Sequence, residues 1–155
     1  MVISPSAPRS HCPIAFSLDI LGDRWTLVVL RDLVIKGKRL FRELLEAEEG
    51  IATNILTDRL RRLEAWGIVT RRPDPDNARQ VIYAPTPKGL DLIPVMVELA
   101  RWGAIHDPQT AAPRGFVQRA TRERDAVVAE IRAAHHAVDR PPARRRTPKE
   151  PRRAP

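Results

Sequence analysis

Apolar residues recur at helical spacing along much of this chain, and the runs are broken at Gly and Pro. The clearest run is 51–67, IATNILTDRLRRLEAWG. At about 100° per residue, Leu56, Leu60 and Leu63 fall in one narrow stripe, while Asn54, Thr57, Asp58, Arg61 and Ala65 gather on the opposite side. One face suits a core; the other is polar, small and partly cationic. Gly67 tolerates the left-handed dihedrals that end a helix, and the strand-like IVTRR follows at once.

The neighbouring runs extend the pattern. Pro13 suits the first turn of a helix in which Ile14, Leu18 and Leu21 recur, ended by Gly22. Asp23 is an N-cap for a helix that Trp25, Leu27, Val28, Val29, Leu30, Leu33 and Ile35 make apolar around most of its circumference, as in a central buried helix. After Gly37, the segment 38–40 reads as a short extended piece, and Phe41, Leu44 and Leu45 define a short helix, FRELLEA. Helix, turn and helix then lead to two strand candidates, 68–72 and 80–84, joined by the loop PDPDNAR. Thr86 caps a further helix with Pro87 at its first position and Pro94 inside it, where a kink or break is expected. Its apolar surface is too large for one small domain to bury, which predicts a second copy of the chain. Residues 116–138 read as one more helix with a thin stripe of Val117, Ala120, Val127, Ile131, Ala134 and Val138.

The predicted fold is mainly α with a small β-hairpin wing, an α+β winged helix-turn-helix. Its expected divisions are a flexible arm over 1–11, a DNA-binding and dimerisation domain over 12–107, an extra C-terminal helix over 108–138, and a disordered Pro/Arg-rich basic tail over 139–155.

Composition changes this picture in two respects. At 155 residues with 43% hydrophobic content the chain can build a real core, and its net charge of +8 favours a polyanionic partner. Yet the tail holds seven Lys/Arg against two Asp/Glu, a net of +5, which leaves only +3 for residues 1–138. No apolar run is long enough to cross a bilayer and no signal peptide is evident, so no membrane association and a cytoplasmic location are expected. Cys12 is the sole cysteine, so an intramolecular disulfide and a cysteine-rich zinc site are excluded. His11, His106, His135 and His136 form no metal spacing, and the last two read as surface residues. Trp25, Trp66 and Trp102 sit at apolar helical positions and read as core. No phosphate-cradling Gly loop, hydrolase elbow or paired metal ligands are found, so neither an enzyme nor a cofactor is expected.

Taken together, CPIAFSLDILGDRW, VVLRDLVIKG, RLFRELLE, GIATNILTDRLRRLEAWGIVTRR and YAPTPKGLDLIPVMVELARW, in that order, resemble the HxlR-type family of bacterial winged helix-turn-helix transcriptional regulators from about Cys12 to Trp102. The resemblance implies a homodimer, with the N-terminal helix and the long helix after the wing at its interface. It also implies a double-stranded DNA operator of pseudo-palindromic sequence and action as a repressor more often than as an activator. Some family members sense redox or electrophile stress through a cysteine at the position of Cys12. The chain departs from the family pattern at Ala52, where a Ser cap is frequent, at Leu40, where a basic residue is frequent, and at Ala84-Pro85-Thr86-Pro87; Pro85 suggests an early end to the second wing strand.

The candidate base-reading residues are Thr53, Asn54, Thr57, Asp58 and Arg61, with Arg suited to guanine and Asn to adenine; the plainer reading is a solvated helix face, with Asp58 paired to Arg61 or Arg62. Arg39, Arg42, Arg62, Arg71, Arg72 and Arg79 are candidates for phosphate contact. Cys12, at a helix N-terminus beside His11, is a candidate thiol sensor for an oxidant or small-molecule effector, or else a structural residue. Ile14, Leu18, Leu21, Leu92, Val95, Met96, Leu99 and Trp102 are the candidate dimer surface. The alternative function is a winged-helix protein–protein interaction module without specific DNA binding.

Overall fold

The computed structural model describes residues 11–138; the expected arm, apart from His11, and the basic tail 139–155 lie outside the described residues. Helix α1 (Pro13–Leu21) opens on Pro13, which has no N–H to leave unsatisfied in a first turn. Helix α2 (Arg24–Leu30) starts where the Asp23 carboxylate accepts a hydrogen bond from the Thr26 N–H at 3.0 Å. Residues Arg31–Ile35 prolong α2 as a π-turn, in which the Lys36 N–H donates to the Arg31 carbonyl. This segment supplies the centre of the core: Val29, Leu30, Leu33 and Val34 are buried on successive turns.

Helices α3 (Phe41–Leu45) and α4 (Thr53–Ala65) follow as the helix-turn-helix, with Ala47 and Ile51 buried in the turn. The expected leucine stripe of α4 is the buried one: Leu56, Leu60 and Leu63 face the core, each burial contributing about 1.5–3 kcal/mol. Gly67, at φ +66°, ends the helix in the left-handed region.

Strands β1 (Val69–Pro73) and β2 (Val81–Pro85) pair antiparallel, with Val69 opposite Pro85 and Arg72 opposite Ile82. Leu40 adds an isolated bridge to Ile82, and the Tyr83 N–H donates to the Arg39 carbonyl at 2.8 Å, so the extended piece before α3 forms a third edge of the wing. Pro85 does not end the ladder early: it is its last strand residue, and the Thr86 N–H goes on to donate to the Ile68 carbonyl.

The expected kink falls before its proline. Helix α5 (Pro87–Leu90) stops, the chain turns at Asp91–Leu92, and α6 (Ile93–His106) begins with Pro94 in its first turn, where the missing N–H costs nothing. Gly89 marks a close approach, since a Cβ there would stand 2.2 Å from the Ile68 carbonyl oxygen. The single helix expected over 116–138 is two: α7 (Arg114–Arg122) and α8 (Arg124–Val138), broken at Glu123. Both pack on α6, and Ala120 and Val127 join the common core. The result is a mainly helical winged helix-turn-helix with a two-stranded antiparallel wing and a C-terminal helical pair laid over it. Among the described residues, no helix is long and apolar enough to cross a membrane.

Candidate nucleic-acid interface

Burying one side of α4 sends the other outward. Thr53, Asn54, Asp58 and Arg61 are exposed, and Thr57 is half-buried with its hydroxyl donating to the Thr53 carbonyl at 2.8 Å. That bond occupies the Thr57 proton and leaves its lone pairs and methyl group for any outside contact. Ala52 provides no side-chain cap, so the N–H groups of the first turn of α4 end without one.

Asp58 is not paired to Arg61 or Arg62, as its helical spacing suggested. Arg59 Nη1 donates to it at 2.8 Å, and the same guanidinium lies 2.8 Å from Asp23 at the start of α2. The helix–helix ion pair fixes where Arg59 sits, and Asp58 takes what that geometry leaves. In consequence Arg61 is exposed beside a partly neutralised acid. Burial tends to raise the Asp23 carboxyl, but the Thr26 N–H and Arg59 outweigh it and hold the group below its ordinary range.

Arg71, Arg72 and Arg79 are exposed along the wing, and neighbours on β1 such as Arg71 and Arg72 project to opposite sides of the ribbon. The loop between the strands is held by its own side chains: Asp74 accepts from the Asp76 N–H and Asn77 from the Arg79 N–H. Among the described residues, no carboxylate lies within ion-pair distance of Arg61, Arg62, Arg71, Arg72 or Arg79. Arg42 is exposed on α3.

Arg39 is placed differently from the other candidate phosphate ligands. Its side chain turns toward α8, where Nη2 lies 2.9 Å from His135 Nδ1. A guanidinium held against α8 is not displayed with α4 and the wing for a DNA phosphate, so Arg39 is corrected from a phosphate ligand to a contact with the C-terminal helix. His135 is corrected with it: far from being a surface residue, it is 4% exposed and its Nε2 lies 2.7 Å from the Val34 carbonyl.

The apolar candidates divide. Ile14, Leu18, Val95, Leu99 and Trp102 are exposed, Ile14 at 69% and Trp102 at 62%, and Phe16 and Ile105 join them in exposure. Trp102 is therefore not core, and its ring lies tilted against His106 at 4.7 Å between centroids. Met96, at 7%, is buried within this chain, and Leu21 and Leu92 are half-buried against the same core; Met96 is thus a core residue and not a surface anchor. Trp66 is half-buried at the end of α4, with Phe16 of α1 edge-on at 6.1 Å. Cys12 is exposed at the N-cap of α1.

One cluster had no signal in the sequence. Asp32, 1% exposed, accepts from Arg31 Nε at 2.8 Å and Lys38 Nζ at 2.6 Å, with Lys36 at 3.6 Å; Arg31 also forms a two-pronged pair with Glu49 in the turn before α4. This network ties the π-turn to the helix-turn-helix connection. Glu43 accepts from the N–H groups of Arg39 and Leu40, which cap α3 and hold the carboxyl below its ordinary range.

Comparison with known proteins gives a consistent picture. The sequence is 39% identical over 93 residues to an HTH-type transcriptional regulator of Synechocystis sp., sll1512, covering 60% of this chain and 68% of that one. The fold is similar to that of PA1607, described as a candidate transcription factor, at a TM-score of 0.62 and 32% identity over 68% of this chain and 74% of that one. It is also similar to the redox regulator HypR in its oxidized form, at a TM-score of 0.55 and 34% identity over 60% of this chain and 95% of that one. The profile of the HxlR-like helix-turn-helix family matches residues 20–111, which span α2 to α6 and so include the helix-turn-helix and the wing. The chain accordingly belongs to the HxlR-like helix-turn-helix family, whose members are DNA-binding transcriptional regulators and not enzymes.

Proposed function

We propose that the protein is a homodimeric repressor that binds a pseudo-palindromic operator, with α4 in the major groove and the wing along the flanking backbone. The observation that carries this reading is the exposed face of α4, from Thr53 to Arg61, followed directly by a wing whose arginines meet no carboxylate among the described residues. Asn54 and Arg61 have the donor geometry to read adenine and guanine, and Thr57 offers a methyl group to thymine. Arg72 and Arg79 would neutralise phosphates and release counterions. The exposed apolar side chains of α1 and α6 would meet their symmetry mates, so that two reading heads face successive half-sites. We place reading and dimerisation in residues 12–107.

A gel shift and footprint on the DNA upstream of the protein's own gene and its neighbour test this directly. The expected result is a protected site with half-sites about one helical turn or a multiple apart. Arg61→Ala should lower the preference for one base pair by about 1–3 kcal/mol, whereas Arg79→Ala should weaken all sequences alike and reduce the salt slope by about one counterion. Specific binding that is absent even at low salt would replace this reading with a protein-interaction module.

Cys12 is proposed as the oxidant sensor, in keeping with the likeness to a redox regulator. Because it is the only cysteine, its disulfide partner is a thiol of another molecule, the second protomer included. With diamide, two thiols lose two protons and two electrons, one S–S bond forms, and the azo group is reduced to the hydrazine. Diamide should weaken operator binding by the wild type and leave Cys12→Ser unaffected; an equal response in both removes the thiol from the mechanism.

A further inference from the structure

We propose that the cleft between the π-turn of α2 and helix α8 binds a small organic anion with an apolar body, of the class of arylalkyl or branched-chain carboxylates. The cleft measures about 360 Å³, within the range of small-molecule sites. Val34 and Ile35 form one wall and Ile131 and Ala134 the other, so the body of a ligand meets hydrocarbon on both sides. Its α8 wall lies beyond residue 111, where the family match ends, so this cavity is made by the chain's own C-terminal extension.

The polar groups at the cleft favour negative charge. Lys36, Arg39 and Glu130 line it, and Glu130 is engaged by Arg119 of α7. Lys36 shares the Asp32 carboxylate with Arg31 and Lys38, and Arg31 also pairs with Glu49, so three cations meet two acids in the network beside the mouth. A guanidinium can only donate, so His135 Nδ1 must accept from Arg39 Nη2, and Nε2 must carry the proton that goes to the Val34 carbonyl. His135 is therefore an uncharged positioning residue that orients Arg39 at the cleft wall. The carbonyl it caps belongs to the π-turn, a distortion frequently found at functional sites.

Arg39 also connects the cleft to the reading head. Its carbonyl accepts from Tyr83 of the wing and its N–H donates to Glu43 of α3. An anion that draws the guanidinium from His135 acts on a residue whose backbone is shared by the wing and the bracing helix. The role of this site as an effector site rests on the operator-binding reading above; its existence does not.

Titration calorimetry of the full chain with 3-phenylpropionate, against the neutral 3-phenylpropionamide, tests the site without DNA. The acid should bind about tenfold more tightly than the amide, the scale of one charge-assisted contact. Arg39→Gln should abolish that preference, and Ala134→Leu, which narrows the cleft from an exposed helical position, should reduce binding of both compounds. An acid bound no better than the amide, or binding undiminished by Ala134→Leu, overturns the site. In a gel shift, the acid should move the midpoint for wild type and not for Ala134→Leu; an unmoved midpoint despite calorimetric binding overturns the effector role. Failure of DNA binding itself counts against the operator reading, while the calorimetric comparison of acid and amide still decides whether the site exists.

Discussion

Replacing Asp32 by Asn would keep its shape and remove the one charge that Arg31, Lys36 and Lys38 share. The cations retain partial access to water, so the cost should be about 2–3 kcal/mol, below that of a fully enclosed pair, and a urea titration at neutral pH would measure it. Glu49 gives this cluster a pH dependence. Hydrogen bonds from Arg31 hold its carboxyl at about 2, against an unfolded value of 4.5. The folded pKa is the depressed one, so the stabilisation is complete above about pH 4.5 and is lost as pH falls toward 2. Urea midpoints of wild type and Glu49→Gln should therefore differ at pH 6 and draw together only as pH falls toward 2; parallel curves would exclude Glu49 as the source. At this scale the sequence was legible wherever the partner is local. Asp23 and Thr86 cap their helices as their spacing predicts. Asp58 and His135 were misread because their partners are set by Asp23, Arg39 and Val34, brought in from other segments by tertiary packing.

Whole elements were legible when one periodic face met one core. The α4 stripe and the wing follow from leucine spacing and from a Pro/Asp/Asn loop, with strand limits shifted by one residue. The π-turn and the break between α7 and α8 were not, since neither Gly nor Pro marks them. Glu123 leaves the helical region at φ −134° and ψ 40°, a negative-φ conformation that needs no glycine, and both helices it separates pack on α6. A thin apolar stripe also understated α8, because its core contacts include a histidine. Val127→Ala should thus lower global stability by about 2 kcal/mol. A loosely attached α8 would instead leave the main urea transition in place and show early hydrogen exchange confined to residues 124–138.

For the molecule as a whole, the imbalance in the single chain is one of apolar surface. Leu99 and Trp102 on α6 and Ile14 and Leu18 on α1 are exposed, apolar surface that a monomer in water does not favour. On the proposed dimer, Trp102→Glu should yield monomers in light scattering after gel filtration, with the circular dichroism of the fold retained, and should weaken the proposed operator binding by removing the second copy of α4 and the wing. A mass unchanged from wild type would place the interface elsewhere. Sequence periodicity identified these residues as apolar helical positions, but only the fold separates Met96, which faces inward, from Trp102, which does not. The single exposed sulfhydryl at the start of α1 has a practical corollary for the same question. A nitroxide attached at Cys12 gives one spin label per chain with no engineered cysteine, and dipolar spectroscopy would then report the label-to-label distance across the proposed dimer, with and without operator DNA.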